Sequence, residues 1–191
     1  MRPTRAELLA AADRRVRDVV APGLHVLFCG INPGLYTAWS GFHFAGPGNR
    51  FWPTLHAAGF TERRLAPSEL RRLPEYGLGV TNVVPRATAT AAELAPEEYV
   101  AGGRALRRKV LKHEPRILAV LGMGAYRTAF AQPKATLGEQ PERIGATRVW
   151  VLPNPSGLNA NYGRDALAAL FRELREAAGL PDRTRAAAGD G

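Results

Sequence analysis

The sequence predicts a single-domain α/β fold: a three-layer sandwich around a mostly parallel central sheet. Three observations carry this. Short apolar runs that read as buried strands alternate with amphipathic stretches that read as helices, the pattern of strand-helix-strand units. The strand candidates at residues 25–30, 78–84, 116–122 and 147–152 are close to continuously apolar, as strands covered on both faces must be. A chain of 191 residues, 46% of them hydrophobic, is also long enough to bury one core of ordinary size.

Taken in order, residues 4–20 (TRAELLAAADRRVRDVV) place Leu8, Leu9, Ala12, Val16 and Val19 at helical spacing, with Thr4 and Glu7 spaced as a capping box. A packing helix is expected over residues 1–20, ended by Ala21-Pro22-Gly23. The main domain then runs over 21–178. Its first strand opens into Gly30-Ile31-Asn32-Pro33-Gly34, where the glycines allow close approach to a ligand and Asn32 offers a carboxamide. Residues 35–48 are too rich in glycine and aromatics for regular structure, and long irregular segments in compact domains are usually functional or disordered. Four aromatics and a histidine argue against disorder. A short helix starting at Asn49-Arg50-Phe51-Trp52 ends near Gly59.

The strand at 78–84 is closed by Pro85-Arg86-Ala87-Thr88. A helix over about 96–113 follows, carrying Arg104, Arg107, Arg108, Lys109 and Lys112. The strand at 116–122 leads to a helix through Ala129. The strand at 147–152 runs into a second irregular loop, Pro153-Asn154-Pro155-Ser156-Gly157-Leu158-Asn159. A last amphipathic helix covers about 164–178, with Leu167, Leu170, Phe171 and Leu174 on one face. The tail, 179–191, is expected to be disordered.

Composition narrows the function classes. Cys29 is the single cysteine, so this chain alone can hold neither an internal disulfide nor an iron–sulfur cluster, and His25, His43, His56 and His113 show no metal spacing. Neither metal nor cofactor is expected, and Cys29 reads as a small buried residue. No apolar run approaches the roughly 20 residues that cross a bilayer, so a soluble protein without a membrane partner is expected. The first residues show no apolar export segment, which makes the cytoplasm the expected location. A net charge of +9 calls for a polyanionic partner, of which nucleic acid is the commonest. Since 23 of the 26 basic residues are arginine, a GC-rich genome is an alternative explanation of that charge.

Both irregular loops leave the carboxyl ends of strands, where open α/β sheets bind ligands, so they are expected to face one cleft. Together with GFHFAGPGNRFW, the GVTN strand and the AGGR segment, the loops FCGINPGL and VLPNPSGL resemble the mismatch-specific uracil-DNA glycosylase and thymine-DNA glycosylase family, from about Ala21 to Leu174. The resemblance implies a monofunctional enzyme that hydrolyses the N-glycosidic bond of a mispaired or damaged base in DNA repair. Its partner would be double-stranded DNA containing mismatched or damaged pyrimidines, and a monomer is the expected state. Such chemistry requires flipping the nucleotide out of the stack, at a few kcal/mol.

By the same resemblance, Asn32 is the catalytic residue, its carboxamide oxygen holding a water against the anomeric carbon. Ile31, Gly34, His43, Phe44 and Asn82 would contact the base, with Phe44 stacking on it and backbone amides of the first loop receiving the departing pyrimidine anion. Phe44 lacks the hydroxyl of the tyrosine usual in the thymine-processing branch, and it also reads as plain core. Asn82 has two readings as well, a contact to base or water and a strand-end structural role. Asn154, Pro155, Ser156, Gly157 and Leu158 would form the DNA-intercalating loop, with Leu158 filling the hole left by the flipped nucleotide and Ser156 near a phosphate. Two rival functions remain open: a non-catalytic mismatch-binding protein on the same scaffold, and a small nucleotide or sugar-phosphate hydrolase.

Overall fold

The structure, a computed structural model, describes residues 2–12 and 14–186. Five strands, β1 (Val26–Gly30), β2 (Leu78–Asn82), β3 (Ile117–Leu121), β4 (Gly138–Ile144) and β5 (Thr147–Leu152), make one sheet in the order β2-β1-β3-β5-β4. The pairs β1/β2, β1/β3 and β3/β5 are parallel and β4 runs antiparallel to β5. β1 is buried along its whole length, and its alternating side chains feed two cores. Val26 and Phe28 meet α3 (Phe51–Ala57) and α6 (Arg164–Ala177) on one face, while Leu27 and Cys29 meet α4 (Pro96–His113) and α5 (Met123–Ala129) on the other. This is the three-layer sandwich that the sequence predicts.

Phe28 anchors the first core, with ring centroids of Phe51, Phe60 and Phe171 at 5.3, 5.6 and 5.8 Å. Burying each such side chain stabilises the fold by about 1.5–3 kcal/mol. Leu167, Phe171 and Leu174 line the buried face of α6, as their spacing requires. α4 begins at Pro96, whose missing N–H is one of the donors a helix start leaves unpaired anyway, and Glu98 accepts from the Ala95 N–H at 2.9 Å. Among the described residues, no helix is long and apolar enough to cross a membrane.

Three expectations are corrected. The helix predicted over residues 4–20 is only α1 (Arg5–Leu9), closed by the expected Thr4 and Glu7 capping box, and Leu9 is exposed. Residues 14–20 run extended instead. Val19 exchanges backbone bonds of 2.9 and 2.8 Å with Val80, so the open edge of β2 overrides the helical period. The segment 35–48 is not wholly irregular: α2 (Leu35–Ser40) occupies its first part and stops at Gly41, whose φ of 77° a glycine adopts without strain. The polar strand β4 was also not foreseen, because Pro141 and its charges give it no apolar signature; it sits at the sheet edge, where proline is tolerated. Of the tail, Arg183–Ala186 forms one helical turn, α7, and residues 187–191 lie outside the described residues.

Candidate active site at the carboxyl edge of the sheet

Parallel register brings the predicted residues together. Gly30 stands opposite Asn82, so β1 and β2 end side by side, and their loops continue the pairing. Val83 and Val84 donate to the carbonyls of Gly30 and Ile31 at 2.9 Å each, and Thr88 donates to Pro33 at 3.1 Å. The loop of residues 30–34 is thereby pinned along its length.

That pinning fixes Asn32. Its Nδ2 donates to the Arg86 carbonyl at 2.9 Å and to Thr88 Oγ1 at 2.7 Å, and the Thr88 hydroxyl in turn donates to the Thr90 carbonyl at 2.8 Å. Both amide hydrogens are therefore engaged, and the orientation of the carboxamide follows from the network. Oδ1 is left as an acceptor. A side chain held in this way can position a water without being a strong base. Thr88 and Arg86 were missed from the sequence because the partner of Asn32 lies more than 50 residues away, on the loop after β2.

Beside the ends of β1 and β2 lies a buried histidine. His43 is 1% exposed, with Nε2 3.0 Å from the Arg17 carbonyl and Nδ1 3.4 Å from Asn82 Nδ2. A carbonyl can only accept, so Nε2 carries the proton and Nδ1 is the acceptor. Burial holds the imidazole below its ordinary value of 6.5, and the neutral ring is the resting form. Asn82 then turns its oxygen toward Gly30, where a Cβ would lie 2.5 Å from Oδ1 and 3.2 Å from the Phe44 ring. Only glycine leaves that space open.

Phe44 adopts φ = 56°, a strained conformation for a residue with a Cβ, and such strain persists only where the surroundings enforce it. Its ring stacks on Phe51 at 4.1 Å, and Trp52 Nε1 holds the preceding carbonyl, that of His43, at 3.0 Å. Phe44 is thus packed against the aromatic core, as the plain-core reading expects, and its edge lies beside Gly30 and the end of β1. Gly34 caps the start of α2 and is exposed.

The second loop rises from β5, which runs parallel to β3 and hence leaves by the same edge. Asn154 Oδ1 accepts from the Ser156 N–H at 3.0 Å, Ser156 Oγ accepts from Leu158 at 3.3 Å, and Asn159 Nδ2 donates to the Asn154 carbonyl at 3.0 Å. These bonds shape the loop from within, and it presents Leu158 at 85% exposure. An isolated leucine so exposed gains nothing from the fold. Of the predicted site residues, Ile31 and Asn154 line a cleft of about 540 Å³ together with Tyr99, Met123, Leu137 and Tyr162, whereas Asn32, His43, Phe44 and Asn82 lie outside its lining. Cys29 is fully buried on the other side of β1, and burial pushes its thiol up, out of reach of nucleophilic use.

Comparison with known proteins places this architecture. The fold is similar to the solution NMR structure of a candidate uracil DNA glycosylase from Methanosarcina acetivorans, with a TM-score of 0.57 over 85% of this chain and 98% of that one, at 19% identity. Identity this low speaks for the fold. Residues 17–177 match the Uracil DNA glycosylase superfamily, a span that takes in both loops, the buried histidine and the strand ends between them. The chain belongs to the uracil DNA glycosylase superfamily.

Proposed function

We propose that the protein is a monofunctional DNA glycosylase that flips uracil out of mismatched duplex DNA, preferentially opposite guanine, and hydrolyses its N-glycosidic bond. Membership of the superfamily supports a DNA glycosylase acting on uracil. The observation that carries the mechanism is Asn32: with both amide hydrogens bound to Arg86 and Thr88, its oxygen is the one function left to hold a water at the anomeric carbon. A neutral amide supplies a dipole and no full charge to the developing oxocarbenium ion, so the chemical step is slow for an enzyme.

The base enters beside Phe44, where the Asn82 oxygen can accept from an N–H of the pyrimidine. Thymine and modified pyrimidines are further candidates for the same pocket. Leu158 fills the gap in the stack, and backbone groups near Gly157 meet the guanine left unpaired. A wobble pair is also cheaper to open than a Watson–Crick pair, so flipping and capture both favour G·U. The protein acts as a monomer on duplex DNA.

The test is single-turnover uracil release from G·U duplex, A·U duplex and single-stranded DNA at one salt concentration, by wild type and Leu158→Ala. The expected order for wild type has G·U fastest, and Leu158→Ala slows the duplexes while sparing the single strand. Equal loss on all three substrates would show that Leu158 supports the pocket and is no wedge.

A further inference from the structure

Arg50 lies in the turn before α3, outside every role assigned to base capture. Its guanidinium crosses to the loop that carries Leu158: Nη1 donates to the Tyr162 carbonyl at 2.5 Å, and Nη2 donates to the carbonyls of Ser156 at 3.0 Å and Asn159 at 2.9 Å. The Arg50 backbone N–H donates to the Pro155 carbonyl at 2.9 Å. Beside it the Leu158 loop touches the segment before α3 backbone to backbone, for a Cβ on Gly157 would lie 2.6 Å from the Gly48 carbonyl oxygen. Four carbonyls of one irregular loop, spread over residues 155–162, are thus gathered by a single residue.

A side chain as exposed as Leu158 cannot order its own loop by packing. The order comes from behind. A planar fork serves these three carbonyls from two separate nitrogens, a spread that the three donors on the single nitrogen of an ammonium and the two donors of an amide do not reproduce. Arg50 also belongs to the segment that carries His43 and Phe44, so the same contacts join that segment to the Leu158 loop. We infer that Arg50 is the positioning residue of the wedge: it fixes the loop before DNA arrives, so that Leu158 is inserted without a cost of ordering the loop on binding. The inference rests on the reading of Leu158 as a wedge.

The experiment is a double-mutant cycle on single-turnover G·U excision, with amide hydrogen exchange of residues 156–162 measured on the free proteins. Arg50→Gln is expected to slow excision by about tenfold in the wild-type background and by less than about twofold in Leu158→Ala, because a residue acting through Leu158 has nothing left to position. Exchange in the loop should rise in Arg50→Gln. Arg50→Lys keeps the charge and loses the fork, so it should behave like Gln, and it carries the cycle if the Gln variant does not fold. Equal factors in both backgrounds, wild-type rates in Arg50→Lys, or unchanged exchange would each overturn the proposal. If wild type itself releases no base while loop exchange responds as expected, the glycosylase reading fails together with the wedge, and the strap alone stands.

Discussion

At the scale of the residue, the site is a set of side chains whose polar atoms are assigned to partners until one useful atom remains. Asn32 shows this most plainly, and Thr88 is what makes it so. Replacing Thr88 by Val removes the acceptor of one amide hydrogen and frees the carboxamide to rotate. Single-turnover base release is expected to fall by about 10²-fold, the size of effect that a misplacement near 1 Å can have. Thr88→Ser keeps the hydroxyl and should restore most of the rate, whereas equal rates for Val and Ser would show that Asn32 is held by other means. His43 sets a pH dependence by the same logic. In the unfolded chain it takes a proton near pH 6.5, but in the folded protein burial lowers that value, so the unfolded state binds more protons between the two. Its contribution to stability is therefore complete above about pH 6.5 and is lost as the pH falls through the lowered folded value. Urea midpoints followed from pH 7.5 downward should drop more steeply in wild type than in His43→Gln, and parallel curves would contradict the assignment.

At the scale of the element, what the site needs is that β1 and β2 end together and that β5 leaves by the same edge. Strand ends of this kind were legible in the sequence, since near-continuous apolar runs closed by Gly, Asn and Pro leave little else to predict. α4 and α6 were legible too, through Pro96 and through the Leu167, Phe171, Leu174 stripe. The N-terminal arm was not. Its helical period is real, but the vacant hydrogen-bonding edge of β2 and a polar clamp decide its conformation, and neither is visible locally. In that clamp Lys109 Nζ donates to Asp18 Oδ2 and, at 2.8 Å, to Thr81 Oγ1, which donates to Asp18 Oδ1 at 2.9 Å. Asp18→Ala should therefore destabilise the protein by roughly 1 kcal/mol, the scale of a partly exposed hydrogen-bonded pair. It should also raise amide exchange at Val19 and Val80. Unchanged exchange there would mean that the Val19 bridge holds the arm unaided.

At the scale of the whole molecule, the sheet separates work between its faces. One face carries the aromatic core that continues through Phe51 into Phe44 beside the ends of β1 and β2, and the other carries a mostly aliphatic core under α4 and α5. The first loop and the second were each recognisable as motifs, but the joining of the second to the segment before α3 through Arg50 and Gly157 was not, because contacts between irregular segments more than 100 residues apart leave no periodic trace. Net charge behaves similarly. Arg50 and Arg175 are bound to backbone carbonyls, and Arg86 and Arg148 to carboxylates, so a count of arginines overstates the cations free to meet a phosphate.

The central claim is that the Asn32 oxygen positions the attacking water, and one comparison reaches it directly: single-turnover uracil release from a G·U duplex by wild type and Asn32→Ala, with duplex affinity measured alongside. The account predicts a loss of about 10²-fold or more in release, with affinity nearly unchanged because phosphate contacts supply most of it. Release within about threefold of wild type, a barrier change of only roughly 0.7 kcal/mol, would contradict it.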